Sequence, residues 1–166
     1  MQNGARCTVT QETSYPRADT TQLHLEMARP EKFTVYLRIP AWADGKTRVS
    51  VNGKRMEADV TPGSFFAVNR TWNNGDRVEY EIGMPLRLQV VDAQNPQIVA
   101  LVRGPVALFG LGNLPTDFSR AQLLAASSAS PASEDWVVQG DGGKVTFRPF
   151  AAIGNEHYRL YQTVRA

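Results

Sequence analysis

The chain has 166 residues, 42% hydrophobic and 20% charged, with 18 Lys and Arg against 16 Asp and Glu. That length suits one domain and buries roughly 70% of the unfolded surface, enough for a core without staples. A net charge of +2 with scattered basic residues excludes an electrostatic nucleic-acid footprint, and no apolar run reaches the roughly 18 residues of a membrane span. One cysteine, Cys7, leaves no internal disulfide. The first residues lack the apolar stretch of a signal peptide and run almost directly into a strand, so Met1 reads as an added start. Localisation stays open between secreted or periplasmic and cytoplasmic.

Arg6–Glu12 has a short strand pattern, and Tyr15-Pro16 and Asp19-Thr20 mark a turn. In Gln22–Met27, Leu23, Leu25 and Met27 alternate with Gln22, His24 and Glu26, the period of a half-buried strand. The clearest stretch follows. Phe33, Val35, Leu37 and Ile39 alternate with Thr34, Tyr36 and Arg38, until Pro40 removes a ladder donor. Asp44-Gly45 then supplies a turn, Val49 and Val51 restart the alternation, and Asn52-Gly53 signals a tight hairpin, since both residues tolerate positive φ. Lys54–Val60 is polar and without pattern.

Pro62-Gly63 is a turn before a strand at Ser64–Asn69, which carries Phe65, Phe66 and Val68. Trp72 to Asp76 is a turn, and Asp76–Ile82 alternates again through Val78, Tyr80 and Ile82. Pro85 predicts a bend or an edge position for the next strand, Leu86–Val91. Gln97–Val102 is continuously apolar, the pattern of a strand covered on both faces. Val106–Leu111 resumes after Gly104-Pro105. Pro115–Ala126 is the best helix candidate, with Pro115 and Thr116 or Asp117 as its start. Ser127–Ser133 reads as a mobile polar loop, Asp135–Arg148 as a hairpin turning at Asp141-Gly142-Gly143, and Tyr158–Val164 as the last strand.

About ten short strands with regular turn signals predict an all-β fold, an antiparallel β-sandwich of jelly-roll type with one short helix near residues 117–126. Residues 1–166 are read as a single accessory domain, with a point of internal subdivision near 112–133.

The ordered series Leu37-Arg38-Ile39-Pro40-Ala41-Trp42-Ala43, Val51-Asn52-Gly53, Arg70-Thr71-Trp72 with Gly75-Asp76, Met84-Pro85 and Val99-Ala100-Leu101 with Arg103-Gly104-Pro105 resembles the C-terminal β-sandwich region of the β-L-arabinofuranosidase-like glycoside hydrolases of family 127. Thr10-Gln11 with Tyr15-Pro16, and Phe147-Arg148-Pro149-Phe150 with Tyr158 and Tyr161, extend the resemblance over most of the chain. It implies a helical barrel elsewhere in a longer protein, which holds the nucleophilic cysteine, the zinc ligands and the acid/base glutamate. Cys7 has no neighbouring cysteine and does not match that motif. The resemblance therefore implies a non-catalytic module with no cofactor or metal of its own, packing on the barrel or mediating homodimer contacts.

The residues by themselves agree. Cys7, His24 and His157 are too far apart and too few for a zinc site. Glu79 and Glu81 share an outward row with Arg77, a solvated charged face, and Glu134 and Asp135 are adjacent and diverge in a strand. Trp42, Trp72, Trp136, Tyr36 and Tyr80 are candidates for stacking on a sugar ring, with Tyr80 on the inward row and the tryptophans read mainly as corner packing. The residues singled out for carbohydrate or interdomain contact are Trp42, Trp72 and Arg38, the last on the row opposite the core. The alternative function is a stand-alone carbohydrate-binding module stacking on glycan through Trp42 or Trp72.

Overall fold

The computed structural model describes residues 6–57, 60–114, 118–130 and 133–165. The chain divides into two compact units, Met1–Pro85 and Leu86–Ala166. Both are built of antiparallel strands, as the sequence predicts.

The first unit holds β1 (Cys7–Thr13), β2 (Thr20–Met27), β3 (Glu31–Arg38), β4 (Arg48–Val51), β5 (Lys54–Arg55), β6 (Phe65–Trp72) and β7 (Arg77–Glu81). A five-stranded sheet in the order β1-β2-β7-β4-β5 packs on the two-stranded β3–β6 ladder. Leu25, Val49, Val51, Val78 and Tyr80 from the larger sheet meet Leu37, Phe66, Val68 and Trp72 from the smaller in one core. The period-two patterns explain this, because each strand places one apolar row inward. Asn52 and Gly53 adopt φ of 52° and 76°, the left-handed pair that a tight hairpin requires, and β5 continues the hairpin. β5 falls in the stretch that has no sequence pattern. Its two residues are exposed, so no alternation could announce it.

The turn between β6 and β7 is pinned by Asp76, which is buried. Its carboxylate accepts hydrogen bonds from Asn52 Nδ2 at 2.8 Å and from the Asn73 N–H at 2.9 Å. Asn52 in return accepts the Arg77 N–H at 2.8 Å, so the two turns lock each other. Burial pushes the Asp76 carboxyl up, but the bonds from Asn52 and Asn73 and the charge of Arg70 outweigh it and hold it below its ordinary value.

The second unit holds β8 (Leu86–Val90), β9 (Ile98–Arg103), β10 (Val106–Leu111), α1 (Arg120–Leu124), β11 (Ser127–Ser128), β12 (Trp136–Gly140), β13 (Gly143–Pro149), a 3₁₀ turn at Phe150–Ala152, β14 (Tyr158–Arg159) and β15 (Tyr161–Thr163). They form one sheet, β11-β12-β13-β10-β9-β15, with β8 on β9 and β14 on β10. Helix α1 touches both β8 and β12, which lie far apart in that order. The sheet must therefore curl into a half-barrel around Val99, Leu101, Leu108, Val138 and Phe147, with Leu123 of α1 as part of the filling. Val99, Ala100, Leu101 and Val102 are all buried, matching the two-sided covering expected of β9.

Three local expectations change. The helix starts at Ser119, whose side chain accepts the Gln122 N–H while Gln122 returns a bond to the Ser119 N–H, a capping box. The start signal placed on Pro115, Thr116 and Asp117 lies outside the described residues. Ser127 and Ser128, read as part of a mobile loop, pair with Val137 and Trp136. The final strand is two, β14 on β10 and β15 on β9, because the chain bends at Leu160 to pass from one neighbour to the other.

Candidate functional site

The outward row of β3 is Lys32, Thr34, Tyr36 and Arg38, and that of β6 is Phe65, Ala67, Asn69 and Thr71. The register sets Arg38 opposite Phe65, Tyr36 opposite Ala67, and Thr34 opposite Asn69. Tyr36 is 65% exposed and Phe65 60% exposed, unusual values for rings on a packed sheet. The Arg38 guanidinium lies 5.2 Å from the Phe65 ring centre and donates to the Ser64 carbonyl at 3.1 Å. That bond holds the cation over the ring instead of leaving it to sweep through water. Asn69 Nδ2 donates to Thr34 Oγ1 at 2.8 Å and fixes the polar end of the same face. The result is an ordered surface with Tyr36, Phe65 and Arg38 together at one end of the ladder and Thr34 and Asn69 towards the other.

Arg38 is thus where the sequence places it, on the row opposite the core. Tyr36 joins it there. Phe65 is missed by sequence reasoning, which groups it with Phe66 and Val68. The alternation carries the signal, because Phe66 and Val68 inward forces Phe65 outward.

Trp72 is 0% exposed. Its Nε1–H donates to the Phe33 carbonyl at 3.0 Å, its ring stacks on Phe33 at 5.8 Å, and Arg70 covers it at 5.3 Å. No face remains for a sugar, so Trp72 serves the core. Trp42 is half-buried against the same core, beside the corner where the Ala43 N–H bonds the Pro40 carbonyl. Tyr80 is buried and its hydroxyl donates to the Arg38 carbonyl; burial pushes it up to about 12. Trp136, in the second unit, has the Arg103 guanidinium 5.4 Å from its ring.

The structure does not gather the other candidates into a reactive group. Cys7 is half-buried against the first core. His24 faces Glu12 at 3.4 Å. Glu79 accepts from Gln22 and Glu81 pairs with Arg48, the solvated face expected. His157 sits in the second unit, close to Asp135 and Glu156. Those two carboxylates both bind Arg148, Asp135 through two bonds of 2.6 and 2.9 Å and Glu156 through one of 2.7 Å. The Arg148 bond holds Asp135 below the usual carboxylate range, and backbone N–H groups together with Arg148 do the same for Glu156. Both carboxylates therefore serve to hold Arg148, whereas a glycosidase acid has its carboxyl pushed up. Among the described residues no three His, Cys, Asp or Glu side chains are placed to hold a metal ion.

The family description "Beta-L-arabinofuranosidase, GH127 middle domain" matches residues 1–84. The chain belongs to glycoside hydrolase family 127. This corrects the position implied by the sequence resemblance, since the first unit corresponds to a middle domain of the family and not to its C-terminal region. Among solved structures, the chain is similar to a GH127 β-L-arabinofuranosidase from Geobacillus stearothermophilus T6, with a TM-score of 0.74 and 22% identity over 98% of this chain and 31% of that one. It is also similar to a protein described as a glycoside hydrolase, with a TM-score of 0.71 and 19% identity over 98% of this chain and 35% of that one. A further GH127 β-arabinofuranosidase gives 0.70 and 20%, over 97% of this chain and 32% of that one. At these identities the likeness establishes the fold. This family 127 chain spans about a third of the length of the solved structures it matches. No curated protein matches it.

Proposed function

We propose that this chain is a non-catalytic accessory module of a family 127 glycoside hydrolase acting on arabinofuranoside-type glycans, and that its β3–β6 face packs on the catalytic helical barrel of the parent protein. The match of residues 1–84 to the family's middle domain carries the reading. The length of the related structures supports it, because about two thirds of each lies outside the part this chain matches. The face offers what a permanent interdomain contact uses, namely exposed aromatic rings, Tyr36 and Phe65, beside an arginine whose geometry is already fixed.

Catalysis then resides in the barrel, and this chain braces it. The test is turnover of an aryl β-L-arabinofuranoside by the chain alone. The expected result is no hydrolysis above buffer. Hydrolysis at the rate of an intact family enzyme would overturn the reading.

A further inference from the structure

The second unit contains an arrangement that bracing a barrel does not require. Phe109, Phe150 and Tyr158 form a closed triad, with ring centres 5.4, 5.6 and 5.7 Å apart. Phe150 is 59% and Tyr158 50% exposed, so two of the three rings stand in water. Phe109 is the cross-strand partner of Arg148, and Tyr158 that of Leu111. Paired residues project from the same side of a sheet. The triad therefore adjoins the cleft that Leu111 and Arg148 help to line, an open depression of about 500 Å³.

The polar walls of this cleft are Asn113, Asp135, Lys144, Arg148, Glu156 and His157. Arg148 is immobilised by its two carboxylates, and Glu156 is held in turn by the Gly154 N–H at 2.7 Å. Asn113, Lys144 and His157, by contrast, are exposed, and their side chains make no hydrogen bond to another described residue, which leaves them open to a ligand from solvent. Two carboxylates face two cations, so the cleft carries no field that would select a phosphate or a uronate. A rigid polar frame, unpartnered donors and acceptors around it, and exposed ring faces at its rim match a neutral polyhydroxylated ring, which has an apolar face and a hydroxyl edge.

We infer that this cleft is a surface saccharide-binding site, taking a neutral pentose or short neutral oligosaccharide with one ring face on Tyr158 or Phe150 and hydroxyls toward Asn113, Lys144 and His157. The choice of a saccharide over other neutral ligands rests on the glycoside-hydrolase reading above. The site itself is separate from the β3–β6 face. Its function would be to hold a glycan chain near an enzyme that acts elsewhere in the same protein.

The test is a titration of the isotope-labelled 166-residue chain with methyl β-L-arabinofuranoside and a neutral arabino-oligosaccharide, followed by amide chemical shifts. Saturable shifts confined to residues 109–113, 144–148 and 156–158 are expected. Tyr158→Ala should weaken binding roughly tenfold, the scale of one aromatic contact. Lys144→Ala should weaken it less, and Arg38→Glu should leave it unchanged. No saturable shift up to about 100 mM sugar, where even millimolar binding registers, would overturn the inference. So would an unaltered response of Tyr158→Ala, or line broadening of the triad with protein concentration alone, which would give this face to a protein contact. If sugar does not bind while the chain still associates with the barrel, only this inference falls. If sugar binds and the barrel does not, only the bracing role falls.

Discussion

Replacing Asp76 with alanine tests the physical centre of the first unit. The carboxylate accepts two hydrogen bonds, from Asn52 Nδ2 and the Asn73 N–H. A bond to a charged acceptor contributes about 1.5–3 kcal/mol. Arg70 is 3.8 Å away and its side chain is 37% exposed, so it adds little. Removing the carboxylate leaves both donors without a partner in a turn that water reaches only in part, which sets the loss at about 3 kcal/mol. Asp76→Asn keeps one acceptor and should lose about half of that. The acid response follows from the sign of the shift. Asp76 has a folded value below its ordinary 3.8. Its stabilisation is therefore complete above that ordinary value and is lost as pH falls through the folded one. Wild type should lose stability over that acid range more steeply than Asp76→Ala. Urea unfolding in a Trp136→Phe background reads this, since Trp42 and Trp72 then report the first unit alone. A loss below about 0.5 kcal/mol, within the range of ordinary surface substitutions, or identical acid profiles for the two proteins, would refute the reasoning.

Two further substitutions probe the packing. Trp72→Ala removes a fully buried ring and should destabilise the first unit by about 3–5 kcal/mol in the same urea experiment. Trp72→Phe, which forfeits the bond to the Phe33 carbonyl but keeps most of the ring volume, should cost less than half as much. At Gly83 an added Cβ would stand 1.8 Å from Asp44 Oδ1 and 3.2 Å from the Thr47 nitrogen. Gly83→Ala should therefore destabilise by about 2 kcal/mol or more, the scale of an overpacked core, with a thermal midpoint shift as the readout.

The strands with one wet and one dry face were legible in the sequence because a period of two is a local signal. Phe33 to Leu37 and Val78 to Tyr80 show it without help from the rest of the chain. The Asn52-Gly53 hairpin was legible for the same reason. β5 and β11 were not, since each is two exposed residues whose pairing is decided by a neighbour. The helix start was written in Ser119 and Gln122, at capping-box spacing, but upstream proline and acidic signals drew the start towards 115–117. Arg38 could be placed from its own strand. Its contact with Phe65 needed the register of a second strand, 27 positions on. The Asp135, Arg148 and Glu156 cluster joins strand β13 to two separate connecting segments, and no spacing in the sequence announces it.

The most direct measurement is association in trans, with this chain mixed with the helical barrel proposed for its parent protein and followed by size-exclusion chromatography with light scattering. A one-to-one complex is predicted, weakened at least tenfold by Arg38→Glu or Phe65→Asp, the scale of losing one central interface residue. Both variants should keep the wild-type fold by circular dichroism, because both side chains face solvent in the free chain. No complex at micromolar concentrations, or a complex indifferent to both substitutions, would contradict the assignment of the β3–β6 face to the barrel.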